Sequence, residues 1–192
     1  STLPSGQPAA RARQGLTVRC ANSHEGHSGG HARLSHAVKG GAAMRAARLH
    51  AAREVRVEEV ATPEPGPGEV LVRVRAVAIC PSDLRLYQDG HASGVVPDHP
   101  MIQGHEFAGD IAALGEGVDA PPVGARVAVE SSWHCGKCDV CKRGHVNLCR
   151  NIVFPSFPQR DGALAEYIAC PAFSVCQLPD NVSYVEGALV EP

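Results

Sequence analysis

Apolar and polar positions alternate most cleanly from Val70, where Val70, Val72, Val74 and Ala76 take turns with Leu71, Arg73 and Arg75. A period of two predicts a half-buried strand, which runs on to Ala78-Ile79-Cys80 before Pro81 stops it. Upstream, Arg45 to His50 and Val55 to Val60 read as two shorter strands. The run Thr62-Pro63-Glu64-Pro65-Gly66-Pro67-Gly68 after them is a rigid connection, poor in hydrogen-bond donors. Gly104, Gly109, Gly115 and Gly117 punctuate another short apolar run, a strand closed by a tight turn. Pro121-Pro122-Val123-Gly124 turns the chain into the strand Arg126 to Val129, and Gly162 to Ala169 reads as a returning strand. Helical signals are brief. Ser82-Asp83 is read as a cap for one turn from Asp83 to Tyr87. Ser183-Tyr184-Val185-Glu186 is a capping box opening a helix that carries Ala188, Leu189, Val190 and Glu191. Gln88 to Pro100 is a Gly- and Pro-rich loop with His91 and His99 exposed on it. Short strands at regular spacing with turns between them predict a mainly β chain with short helices, forming a partly open β-barrel.

Composition narrows the class. A chain of 192 residues with 44% hydrophobic residues can build one domain with a sizeable core. Gly 20 and Pro 15 suit many strands joined by turns. The formal net charge of −2 gives no reason to expect a nucleic-acid partner. No apolar run approaches the ~20 residues that cross a bilayer. Residues 1–43 stand apart, rich in Gly, Ala, Ser, His and Arg, with Glu25 as their one acidic residue. They are read as a disordered N-terminal extension or as sequence upstream of a start at Met44, because they hold too little apolar material to offset ordering. A transit peptide and a metal-gathering tract of His24, His27, His31 and His36 are the alternatives. The folded domain is expected over 44–192. Since the chain starts at Ser1 and stops at Glu191-Pro192, it is expected to be a fragment.

The strongest chemical signal is Cys135, Cys138, Cys141 and Cys149, spaced by three, three and eight residues. Gly136, Gly144, Lys137, Lys142 and Arg143 interleave them, which leaves little to fold the loop except a metal. Four thiolates would close a tetrahedral structural zinc site and supply its folding free energy. Two disulfides are the alternative, but no signal-peptide core precedes these eight cysteines, so a reducing cytoplasm fits better. Cys80, at a strand end, suits a metal ligand or a buried structural thiol. His105 and Glu106 put an imidazole and a carboxylate side by side. Cys170 and Cys176 alternate with apolar residues as packing thiols.

These motifs carry a resemblance. Gly104 to Val118 fits the zinc alcohol dehydrogenase signature G-H-E-x2-G-x5-G-x2-V at every fixed position. The cysteine run is similar to that family's structural zinc lobe, Cys80-Pro81-Ser82-Asp83 to its first ligand segment, and Gly162 to Tyr167 to its G-x-x-A-E-Y segment. From Met44 to Pro192 the chain thus resembles the GroES-like catalytic domain of medium-chain zinc dehydrogenases. The resemblance implies two zinc ions. The catalytic one would be held by Cys80 and His105, with Glu106 or Glu191 completing the protein ligands, and Ser82 would relay a proton. Glutamate at Glu191, where many relatives carry cysteine, looks like the sorbitol and threonine dehydrogenase branch. The substrate would be an alcohol or polyol, with NAD or NADP as cofactor and a homo-oligomer expected at full length. Phe154 and Phe157 are candidate pocket walls. Arg85 stands where many relatives place a relay histidine, and Pro81 is also a departure. No G-x-G-x-x-G occurs, so the nucleotide-binding Rossmann half would follow Pro192, and the chain is expected to be inactive alone. A zinc-ribbon interaction module and a GroES-like co-chaperonin subunit are the rival readings.

Overall fold

A computed structural model describes residues 42–191. The expectation of disorder for the N-terminal extension, with Cys20 and the histidine tract, lies outside the described residues. Two open sheets make up the domain, and they do not close into a barrel. One is three-stranded in the order β2-β1-β4, from β1 (Ala43–Ala51), β2 (Glu54–Ala61) and β4 (Met101–Ile102). The other is five-stranded, β7-β3-β5-β6-β8, from β3 (Glu69–Ala78), β5 (Glu106–Leu114), β6 (Arg126–Val129), β7 (Tyr167–Pro171) and β8 (Val175–Gln177). All pairings are antiparallel.

Alternation does in β3 what period-two patterning requires. Val70 and Val72 are fully buried, Arg73 and Arg75 exposed. These valines join Phe107, Ile111, Val127, Val129, Ile168 and Val175 in the main core. A ring as deeply buried as Phe107 contributes roughly 1.5–3 kcal/mol relative to an exposed one. The ladder between β3 and β5 shifts register twice, between Leu71 and Val72 and between Val74 and Ala76. Gly109 explains why the strands can approach there: a Cβ at this position would lie 2.1 Å from the Arg73 carbonyl oxygen.

Four elements differ from expectation, the last of them the C-terminal helix. The helix after Cys80 is longer, α1 spanning Pro81–Asp89, and its N-cap is Cys80 rather than Ser82-Asp83. Proline at the first helical position lacks only an amide that would be unpaired anyway, so it starts the helix instead of delaying it. Asp83 then falls in the first turn, where its carboxylate accepts the Cys80 amide at 3.3 Å. Second, Met101 and Ile102, which follow the expected loop and lie in no expected element, form β4, which pairs with β1 through Arg48 with Ile102 and Leu49 with Met101. Third, the returning strand begins only at Tyr167. Residues 162–166 bond to both sheets, since Ala47 N donates to Leu164 O at 2.8 Å and Val74 N donates to Glu166 O at 3.0 Å. A segment shared between two sheets makes no continuous ladder with either.

Cys170 is fully buried, and burial pushes its thiol up to about 12, as a packing thiol requires. Cys176, in contrast, is not among the free thiols. The capping box at Ser183 forms as read: Ser183 N donates to Glu186 Oε2 at 2.8 Å, and Glu186 N to Ser183 Oγ at 3.2 Å. It opens α3 (Tyr184–Ala188), which ends before Leu189, Val190 and Glu191 rather than carrying them. Among the described residues no helix is long and apolar enough to cross a membrane.

Candidate functional site

Register brings the first cluster together. Ala78 ends β3 opposite Glu106, which begins β5, so Cys80, two residues after β3, and His105, one residue before β5, lie at the same end of the pair. Gly104 makes the entry possible with φ of 90°, the left-handed region that side chains avoid. The ligand atoms of Cys80, His105 and Glu106 all lie within 4.8 Å of one another. Cys80 is half-buried, while His105 and Glu106 are buried. His105 is fixed from several sides. The Ser131 hydroxyl donates to its carbonyl, the Phe154 ring meets its imidazole edge-on at 5.0 Å, and Asp83 Oδ1 stands 3.8 Å from its Nδ1. That separation is too long for a hydrogen bond. His105 Nδ1 is the buried side-chain polar atom left without a partner among the described residues, a sign that the ring is held for something else.

Glu191 is not one of the three converging groups. It is close enough for their charges to act on it: burial pushes its carboxyl up, and the charges of Glu130 and Glu106 add to that against the pull of His105. Ser82 is half-buried in the first turn of α1, and Arg85 is exposed. Phe157 packs edge-on against Phe154 at 5.7 Å, so both aromatics stand on the His105 side. His91 and His99 are exposed, as read.

The second cluster is local. Sγ atoms of Cys138 and Cys141 are 3.5 Å apart, those of Cys149 and Cys135 3.5 Å, and those of Cys138 and Cys149 4.0 Å. All four lie within 4.8 Å of one another. A helical turn, α2 (Asp139–Lys142), and a 3-10 turn at Val146–Leu148 supply the bends between them. Gly136 and Gly144 turn the backbone at φ of 66° and 86°. Amides aim at the sulfurs: Cys135 N and Asn151 N each approach Cys149 Sγ at 3.3 Å. Burial pushes the Cys135 thiol up. The amides of Lys137 and Cys138 and the Asn151 side chain outweigh it and draw the thiol down to about 6. Burial with the neighbouring Cys138 and Cys149 pushes Cys141 up to about 12. Four sulfurs packed this way cannot all be thiolate without a cation between them. No disulfide joins them.

Sequence reading missed Asp83, which turns out to be 3% exposed, and Ser156, which is fully buried. Both belong to the polar wall behind His105. The signal for Asp83 was its place three residues after Cys80, the N3 position of a helix capped there. Ser156 carried no sequence signal.

Comparison with known proteins agrees with this geometry. Residues 66–180 match the alcohol dehydrogenase GroES-like domain. The chain is 46% identical over 149 residues to a sorbitol dehydrogenase of Bacillus subtilis, covering 78% of this chain and 42% of that protein. Its fold is similar to a short chain alcohol dehydrogenase from Escherichia coli complexed with NADH, with a TM-score of 0.70 at 33% identity. That match covers 79% of this chain and 43% of the other. A cobalt- and zinc-bound thermostable alcohol dehydrogenase from Pyrobaculum aerophilum gives a TM-score of 0.69 at 30% identity, covering 78% and 45%. The chain thus spans less than half the length of each relative.

Proposed function

We propose, since the chain belongs to the alcohol dehydrogenase GroES-like domain family, that it is the metal-bearing catalytic part of a zinc-dependent dehydrogenase. The whole enzyme would oxidise a secondary alcohol or polyol with NAD or NADP. The observation that carries this reading is the convergence of a thiol, an imidazole and a carboxylate at Cys80, His105 and Glu106. Three protein donors of these types suit a catalytic zinc and leave a position open, whereas four cysteines suit a closed structural one. The sulfur packing in the lobe fits the same assignment. When bound, an open-position zinc acts as a Lewis acid that lowers the pKa of a substrate hydroxyl.

The chain's own residues do the rest. Cys80, His105 and Glu106 hold the donor set. Glu191 stands by as a second carboxyl group near this donor set. Ser82, in the first turn of α1, would relay the released proton onward by donating its own as it takes one up. Phe154 packs over His105 and keeps water from that side of the imidazole. The sorbitol dehydrogenase relative favours a polyol over a simple alcohol. A cytoplasmic, homo-oligomeric enzyme completes the reading.

Metal analysis of the purified chain tests it. About two zinc ions per chain are expected. One ion would leave one of the two centres without metal, and none would overturn the zinc reading. For the whole enzyme, turnover on a polyol panel with NAD and NADP is the functional check.

A further inference from the structure

Ser156 lies in the turn after the cysteine lobe and is 0% exposed. Its backbone has φ of 70°, a region that glycine adopts freely and other residues do not. A serine kept there uses what glycine lacks. Its hydroxyl donates to Asp83 Oδ1 at 2.8 Å and accepts from the Gly104 amide at 2.9 Å. Asp83 extends the contact in both directions. Its Oδ2 accepts the Cys80 amide at 3.3 Å, and its Oδ1 also takes the Gly104 amide at 3.3 Å while facing His105 Nδ1 at 3.8 Å. Gln103 Nε2 holds the Asp83 carbonyl at 3.0 Å.

We propose that Ser156 is a positioning residue for the three-donor centre, an inference that rests on the zinc reading above. One buried hydroxyl ties two segments: the start of α1, which follows Cys80, and Gly104, which precedes His105 and Glu106. It thereby fixes the spacing between the thiol and the imidazole-carboxylate pair, and holds the Asp83 carboxylate toward the ring. Ser156 touches none of the three donors. It acts through Asp83 and Gly104. Groups behind a metal ligand orient it, and their loss weakens metal binding by about 10–100-fold.

The test compares three 192-residue proteins by zinc competition against a chromophoric chelator and by the absorption spectrum of the cobalt-substituted form. Ser156→Gly accepts the backbone angle but removes the hydroxyl. It is expected to bind zinc about 10–100-fold more weakly at the three-donor site, with an altered cobalt spectrum and an unchanged lobe. Ser156→Thr keeps the hydroxyl on a side chain less suited to that angle. It is expected to melt lower yet restore both affinity and spectrum. If Ser156→Gly does not fold, Ser156→Ala repeats the measurement. A hydroxyl-free variant that binds as tightly as wild type with the wild-type spectrum overturns the inference, as does a threonine variant that loses as much metal as glycine. Wild type binding a single zinc overturns the zinc reading first, and this inference with it.

Discussion

The two clusters reach the same end by opposite routes. The cysteine lobe gathers four candidate ligands from fifteen consecutive positions, Cys135 to Cys149, with two glycine turns and little apolar material around them. The Cys80, His105, Glu106 centre gathers three from segments that the pairing of β3 with β5 brings together, over a core of valines and Phe107. In the lobe the ligands are the fold. In the other centre the fold exists first and the ligands sit on it. Metal should therefore matter to stability in one and to chemistry in the other.

The sharpest way to break that comparison is Cys141→Ser. With the closed site opened, the lobe loses the metal that substitutes for a core, a term that reaches about 10 kcal/mol or more in isolated zinc modules. We expect one zinc to disappear, with loss of solubility or a melting temperature lower by roughly 10 °C or more. Unchanged melting and unchanged zinc content would show that the lobe folds by itself.

Gly109→Ala attacks the other side. A Cβ 2.1 Å from the Arg73 carbonyl must push β5 from β3, an overpacking cost of roughly 1–3 kcal/mol. Because that pairing aligns Ala78 with Glu106, zinc affinity at the three-donor centre should fall while the lobe keeps its ion. Equal loss at both centres would mean that they are not independent. Cys80→Ser is milder in stability. It is expected to remove one zinc per chain and to shift melting by only about 2–4 °C, as roughly 1 kcal/mol does in a chain this size. A fall as large as that of Cys141→Ser would erase the distinction drawn here.

The same contrast explains what could be read in the sequence. The lobe was legible because its ligands are local and their spacing is itself the geometry. β3 was legible because alternation reports one buried face. The split into two sheets was not, since residues 162–166 look like a strand but divide their hydrogen bonds between β1 and β3. Nor was Ser156, which meets Asp83 across 73 residues of chain. Periodicity describes which face of an element is covered and cannot say by what. Glu106 and Glu191 were equal candidates in sequence; in the structure Glu106 converges with Cys80 and His105, and Glu191 stands outside that group.

The smallest expected effect lies in the middle of β5 and probes how α3 is held against the sheet. Asp110 accepts hydrogen bonds from the Tyr184 hydroxyl of α3 and from Arg75 Nε of β3, the latter at 2.7 Å. Partial burial pushes its carboxyl up, but the Tyr184 hydroxyl and the Arg75 guanidinium outweigh that and hold it below the ordinary value. A carboxyl depressed in the folded state adds stability above its unfolded pKa of about 3.9, and that stability is lost as pH falls through the folded value. Arg75 is 40% exposed, so solvent screens the pair and the contribution is about 1 kcal/mol, or roughly 2–4 °C. Asp110→Asn cannot titrate. Melting of wild type should exceed that of the variant by a constant margin at neutral and mildly acidic pH, and the margin should close below about pH 4. Neither zinc should be affected, since Asp110 lies mid-strand, four residues along β5 from Glu106, and outside the lobe. A margin that persists to strongly acidic pH would mean that the asparagine harms packing and that the ion pair contributes nothing. A margin that closes together with zinc loss would tie α3 to the metal centre and make the scaffold less independent of its ligands than the comparison holds.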